Sequence, residues 1–316
     1  MSDLIVSSIG DKEFTSIQSA INKANDGDTI HVESGVYFEK VTVNKNVFII
    51  GSDKGDTNIL FKDESSTWEV TSDAEIKNIQ FMSSSDKNNN YCLRDKYCFM
   101  HITSDAKIEN CSFSMHPHYG ILIDTDSKCN ISHSRFHSSG FANIMVHNNA
   151  DPIIENCNID SSHQYGICFL DDSNGTVRNC IFLANKEDGI MTRTTKGPSI
   201  ESCRFDKNKY GVSCCLTSTT FIKDCTISGS IDSGIFIDEE SNPTIENCKI
   251  SESKEDGIYI QAQAKGNIRN CELSGDHFNL ANQASPTVEN CDIHSNKICI
   301  LSGGKSKGSF TNCKIH

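Results

Sequence analysis

The sequence has no run approaching the roughly 18 apolar residues that a membrane-crossing helix needs, so a bilayer-spanning role is not expected. It also lacks cationic excess. Lys and Arg total 29 against 42 Asp and Glu, a net charge of -13, and no basic stripe offsets the repulsion from a phosphate backbone or an anionic lipid surface. Nucleic acid and membrane are set aside as partners on that ground. The opening MSDLIVSSIG has no charged start followed by a long apolar stretch, so no secretory signal is expected. No C-x-x-C pair occurs among the 16 cysteines, which removes the common zinc and redox spacings. Most cysteines instead recur once per repeat, so reduced thiols in a cytoplasmic setting are expected in place of a disulfide framework. Hydrophobic residues make up only 36%, a low share for a compact globule that suits a tube whose outer side chains all face water.

What is present is one phrase repeated along the chain. KIENCSF begins at Lys107, IIENCNI at Ile153, TIENCKI at Thr244 and TVENCDI at Thr287, with variants between them. Position by position, Cys111, Ser134, Cys157, Cys180, Cys203, Cys225, Cys248, Cys271, Cys291 and Cys313 are equivalent and lie 20 to 23 residues apart. Within each copy apolar residues alternate, an asparagine interrupts the alternation, and a second phrase such as YGILI or DGIYI follows. That pattern predicts three short strands per coil. Asparagine tolerates a left-handed corner, so Asn110, Asn156, Asn179, Asn247, Asn270, Asn290 and Asn312 are expected to form a corner ladder. The cysteine after each corner is expected to point inward as a small packing residue.

The predicted fold is all-β: a single-stranded right-handed parallel β-helix of about a dozen coils of roughly 23 residues, with a short N-terminal capping helix. Thr15 and Ser16 offer the cap, and Ile17, Ala20, Ile21 and Ala24 share one helical face. Residues 1–27 are assigned to the capping segment and 28–316 to the β-helix, with an insertion loop over 82–97. The final coil shows no capping element, and an open coil offers strand edges for self-association.

The run FTSIQSAINKANDGDTIHVESGVYFEKVTV resembles the opening of pectin methylesterases. The later coils resemble the pectin-lyase-like repeats shared by sugar hydrolases, carbohydrate-binding proteins and some intracellular F-box and adaptor proteins. This resemblance implies the β-helix fold and a carbohydrate-active hydrolase, lyase or esterase as one possible activity. The Gln-Asp-Thr phrase and matching arginine of the methylesterases are missing, and Asp171-Asp172 alone does not make the polygalacturonase pattern. No catalytic assignment is carried over.

Two outward columns are predicted beside the second phrase. The first runs Phe99, Leu122, Met145, Cys168, Met191, Ser213, Phe236, Tyr259; a long apolar strip of this kind suits docking. The second runs Glu69, His101, Asp124, His147, Leu170, Arg193, Cys215, Asp238. Seven of the 11 histidines lie between His101 and His163, with His116, His118, His137 and His163 just upstream of the same strands. His101, Asp124, His147 and Arg193 are the candidates for catalysis or sugar contact; a plain surface ladder explains the same pattern. No cofactor is implied; zinc held by a histidine–aspartate pair of this column with a third ligand from the loop is a further reading, and no metal site is assigned. The first expectation is a macromolecular binding or scaffold protein whose partner is a protein, the alternatives being a carbohydrate-active or carbohydrate-binding protein and a structural rod.

Overall fold

A computed structural model describes residues 1–62, 67–83, 97–294 and 299–316, and in it the repeated phrase becomes three strands per coil. One coil reads Lys107–Glu109, Ser112–Ser114 and Tyr119–Ile123. Every strand pair is parallel, and equivalent residues of successive coils stand in register, as in Ile108 beside Ile131 and Phe113 beside Phe136. The result is an all-β parallel solenoid whose one helix among the described residues is Ile17–Lys23.

Two compact units, Met1–His163 and Gln164–His316, divide the chain. In the first, the first sheet runs from Asp3–Val6 to Ile153–Glu155, the second from Gly35–Tyr37 to Asn158–Asp160, and the third from Thr42–Val43 to Ala142–Val146. In the second, the first sheet runs from Thr176–Arg178 to Ser309–Thr311, the second from Ile181–Leu183 to Lys314–Ile315, and the third from Tyr165–Asp171 to Ile300–Ser302.

The corners confirm the asparagine reading. Asn110, Asn156, Asn179, Asn247, Asn270, Asn290 and Asn312 all have φ between 51° and 56°, a left-handed conformation that most side chains adopt only at a cost. Asn110 Nδ2 donates to Asn78 Oδ1 at 2.8 Å and Asn270 Nδ2 to Asn247 Oδ1 at 3.4 Å, so the ladder bonds from coil to coil. After the corner the cysteines turn inward, fully buried from Cys111 to Cys291, and every cysteine among the described residues is free. Each thiol leans on a local carbonyl, as Cys157 Sγ does on Glu155 O at 3.2 Å. Beside them inner phenylalanines stack one per coil: Phe81 on Phe113 at 4.8 Å, Phe113 on Phe136 at 4.9 Å, and Phe182 on Phe205 at 4.7 Å. That spacing is the strand separation of any sheet, about 4.8 Å.

At the start, Ser16 caps the helix, and Ile17, Ala20, Ile21 and Ala24 are buried. Glu39 takes the free amides of the first turn, Ile17 N at 2.9 Å and Gln18 N at 3.1 Å. At the other end the Lys45 ammonium donates to the carbonyls of Ile21, Asn22 and Ala24 at 2.9, 2.8 and 2.6 Å. A carboxylate at the N-terminus and a cation at the C-terminus complement the helix dipole. The division after residue 27 is not a break in the sheet, because Asp3–Val6 already pairs with Thr29–Val32. Of the expected loop over 82–97, residues 84–96 lie outside the described residues; Met82 and Ser83 end the strand Gln80–Ser83 and Tyr97 precedes Cys98–Ile102.

Candidate functional site

The third sheet carries the longest strands, seven residues in Tyr165–Asp171 and Asp188–Thr194 against three in most of the other two sheets. Its outward side therefore has the most room for side chains. Six phrases of this sheet have a glycine at their second position, Gly120, Gly166, Gly189, Gly211, Gly234 and Gly257, and the packing explains why. A Cβ at Gly189 would stand 2.6 Å from Phe205 Cδ1, inside the core, although the isoleucine after it also points inward. Two consecutive inward positions break the simple alternation and set the residue before the glycine on the outward side.

In the first unit, register places His101 beside Glu69 and Leu122, and Met145 beside Leu122. His101 thus belongs to the row of Leu122 and Met145, two residues earlier than the predicted column. It still reaches both carboxylates: Nδ1 lies 2.8 Å from Glu69 Oε2, and Nε2 lies 3.3 Å, diagonally, from Asp124 Oδ2. Asp124 is buried and also takes Asn148 Nδ2 at 2.7 Å, with His147 Nδ1 at 3.4 Å from its Oδ1. His101, Asp124 and His147 are therefore brought together. Both ring nitrogens of His101 face carboxylate oxygens, so neither is directed at an open substrate position, and the arrangement favours a held ladder over a general base. Upstream, His116 and His118 are buried. The His116 ring packs edge-on to Phe99 at 4.6 Å, and burial pushes its pKa down to about 3, which keeps it neutral.

The apolar strip needs correction. Phe99 is fully buried, with its ring 5.0 Å from Phe61 and 6.5 Å from Phe113. Its neighbour Cys98 pairs with Tyr119 and Met100 pairs with Ile121, so Phe99 occupies the inward glycine level, beside Gly120. Leu122, Met145 and Cys168 do lie in the outward row, yet all three are fully buried. Only Met191, Phe236 and Tyr259 of the named strip are partly exposed.

In the second unit those residues form part of a richer face. Cys168, Met191, Ser213, Phe236, Tyr259 and Asn279 follow one another in register. Tyr210 stacks on Phe236 at 5.2 Å with 24° between planes, and Phe236 meets Tyr259 at 5.6 Å. Tyr210 donates to Asp232 Oδ2 at 3.0 Å, and Asn279 Nδ2 to Asp256 Oδ2 at 2.9 Å. Lys209 pairs with Glu187 at 2.7 Å, its ammonium 5.4 Å from the Tyr210 ring centroid. Arg193 stands exposed in register with Leu170 and Cys215, 3.8 Å from Glu239. Asp188, in register with Tyr210, is buried. That burial pushes its carboxyl up to about 7, against the pull of the Ser213 hydroxyl and Lys209. Burial raises Asp256 as well, opposed by Asn279.

Tyr210, Asp188, Asp256 and Lys209 were not among the predicted site residues. The signal for three of them was present: they are the residues that precede glycine in YGVSC, DGIMT and DGIYI.

A family model described as the right-handed β-helix region matches residues 99–232 and 210–316. No curated protein matches the chain by sequence. Among solved structures, the chain is similar to the A-module of a mannuronan C-5 epimerase from Azotobacter vinelandii, with 15% identity, a TM-score of 0.64, and coverage of 96% of this chain and 92% of that one. It is also similar to a mannuronic-acid-specific polysaccharide family 6 lyase from human gut microbiota, with 10% identity, a TM-score of 0.67, and coverage of 96% and 83%. A third is the receptor-binding domain of the siphovirus 9NA tailspike, with 10% identity, a TM-score of 0.58, and coverage of 99% and 73%. At these identities the likeness is one of fold. Among the described residues no helix is long and apolar enough to cross a membrane.

Proposed function

The chain belongs to the right-handed β-helix family, and from that premise we propose that it recognises a carbohydrate polymer along the outward face of the third sheet in residues 164–316. The observation that carries this reading is the run of Tyr210, Phe236 and Tyr259, one ring per coil and each in contact with the next. Three partly exposed rings in a row offer a platform longer than one sugar, and flat aromatic faces take the apolar side of a pyranose ring. Asp232, Asp256 and Asn279 border the platform with carboxylate and amide groups held by hydrogen bonds, suited to reading hydroxyls. Arg193 and Lys209 add cations that an acidic sugar would meet. The solved structures of similar fold include two proteins named for mannuronan or mannuronic acid, which supports the choice of ligand class.

Two carboxyls that burial raises, Asp188 and Asp256, do not make a glycosidase pair. Asp188 and Asp256 stand three coils apart along the ladder, roughly 14 Å at the sheet spacing of about 4.8 Å, well beyond the separations of glycosidase pairs. The competing protein-docking reading loses Phe99, Leu122, Met145 and Cys168 to burial and rests on Met191, Phe236 and Tyr259 alone. Free buried thiols support a reducing compartment as the place of action.

Calorimetric titration with mannuronate oligosaccharides and with neutral glucan oligosaccharides tests the proposal. Binding of at least one class, weakened more than about tenfold in Phe236→Ala and in Tyr259→Ala with unchanged thermal midpoints, is the expected result. No binding by either class, or binding indifferent to both substitutions, removes the reading.

A further inference from the structure

A second cluster lies on the outward side of the second sheet in residues 164–316, away from the aromatic platform in sequence and on a different sheet. Asp292 and His294 alternate along the strand Asp292–His294 and so share a face. The next coil brings Lys314 beside Asp292, and the amide of His316 donates to Ile293 O at 3.1 Å, which keeps His316 in line beside His294. Nδ1 of His294 and Nε2 of His316 each lie 3.2 Å from Asp292 Oδ1. All three donor atoms fall within 4.8 Å of one another, and the two imidazole rings face each other at 5.6 Å.

We propose that Asp292, His294 and His316 bind one divalent transition-metal ion of the zinc class. Two imidazole nitrogens and one carboxylate oxygen make a donor set that suits zinc, and oxygen-seeking magnesium or calcium poorly. Two of the three edges agree with such a centre, and the third lies within 4.8 Å. A tetrahedral ion with bonds of about 2.1 Å keeps its ligand atoms about 3.4 Å apart, close to the 3.2 Å seen on both imidazole–carboxylate edges. A ring nitrogen that carries a proton on one of these edges releases it when the ion binds. His294 also has an orienting partner. Its Nε2 lies 3.1 Å from Ser274 Oγ, so with Nε2 as the protonated nitrogen the Nδ1 lone pair is left for the ion, the tautomer control common at histidine metal sites. Three protein ligands leave a fourth position for water or an incoming group.

The cation nearest in register is Lys314, which is exposed and free to swing away. Cys299 is a partly exposed thiol near the cluster, its Sγ 3.3 Å from His316 O. The experiment must separate it from the nitrogen ligands.

The test is titration of zinc, and of cobalt as a spectroscopic probe, into the full chain stripped of metal with a chelator under reducing conditions. One equivalent is expected to bind, with a cobalt spectrum that has d–d bands and no sulfur-to-metal charge-transfer band. His294→Gln, which keeps a hydrogen-bonding side chain, and His316→Ala should each weaken binding more than about tenfold, whereas Cys299→Ser and the control His277→Ala should not. Circular dichroism of each variant reports folding independently, and a zinc-dependent rise in thermal midpoint that both histidine variants lose gives a second readout. Absence of stoichiometric binding, a charge-transfer band abolished by Cys299→Ser, or undiminished binding in the histidine variants overturns the proposal.

Discussion

Replacing Asp188 by asparagine should stabilise the protein at neutral and alkaline pH and leave it nearly unchanged in acid. The carboxyl is 5% exposed, and burial lifts its pKa from 3.8 to about 7. Between those values the folded chain holds a proton that the unfolded chain has lost. Stability therefore falls as pH rises through this window, and the full cost is present above it. A displacement of about three pH steps at about 1.4 kcal/mol each sets a ceiling of about 4 kcal/mol. Water entry and relaxation around the ionised group reduce this, so about 2 kcal/mol is the working expectation. Asparagine is nearly isosteric and carries no charge. The assay is the difference in urea midpoints between Asp188→Asn and the parent across about pH 4 to 8, in which other titrating groups such as Asp276 cancel. A difference that grows from near zero to a plateau above about pH 7 is expected. A flat difference, or an asparagine variant that is less stable at high pH, would refute the reasoning.

Other expectations follow from the corners and the cap. Asn247→Ala places a Cβ-bearing side chain without a polar group at φ 56° and removes the bonds to Asp224 and Asn270; it should cost about 1–2 kcal/mol, and Asn247→Gly less, by chemical denaturation. Lys45→Met strips three carbonyls at the helix end of their donor and should cost about 1–2 kcal/mol. Amide exchange in Ile17–Lys23 should speed up while that of the Tyr210–Cys215 strand does not.

The coil was legible because its constraints are local and repeat. Asn110 and its equivalents need the same backbone at each corner, and Cys111 and its equivalents fill the same interior space, so both recur at fixed spacing. The register of Cys98–Ile102 was harder to read. That strand has Phe99 where other phrases have glycine, and aligning CFMHI by its apolar residues slid Phe99 and His101 two places along the ladder. Alternation also suggests that every second residue beside an isoleucine is exposed. It does not reveal that Leu122 and Met145 are closed off, because burial of an outward row depends on what packs over it, not on the strand's own pattern. Asp188 and Tyr210 were overlooked for a related reason: the extra inward position at glycine shifts the outward set by one. The Asp292, His294 and His316 contact joins adjacent rungs 22 residues apart, and becomes readable only once the corners have been aligned.

The most direct test of carbohydrate recognition is a crystal structure of the chain grown with a soluble tetrasaccharide of the class that binds in titration. The expected result is sugar rings lying over Phe236 and Tyr259 with hydroxyls in hydrogen-bonding reach of Asp256 or Asn279. Density for the ligand on another surface, or a bare face at saturating sugar, would contradict the account.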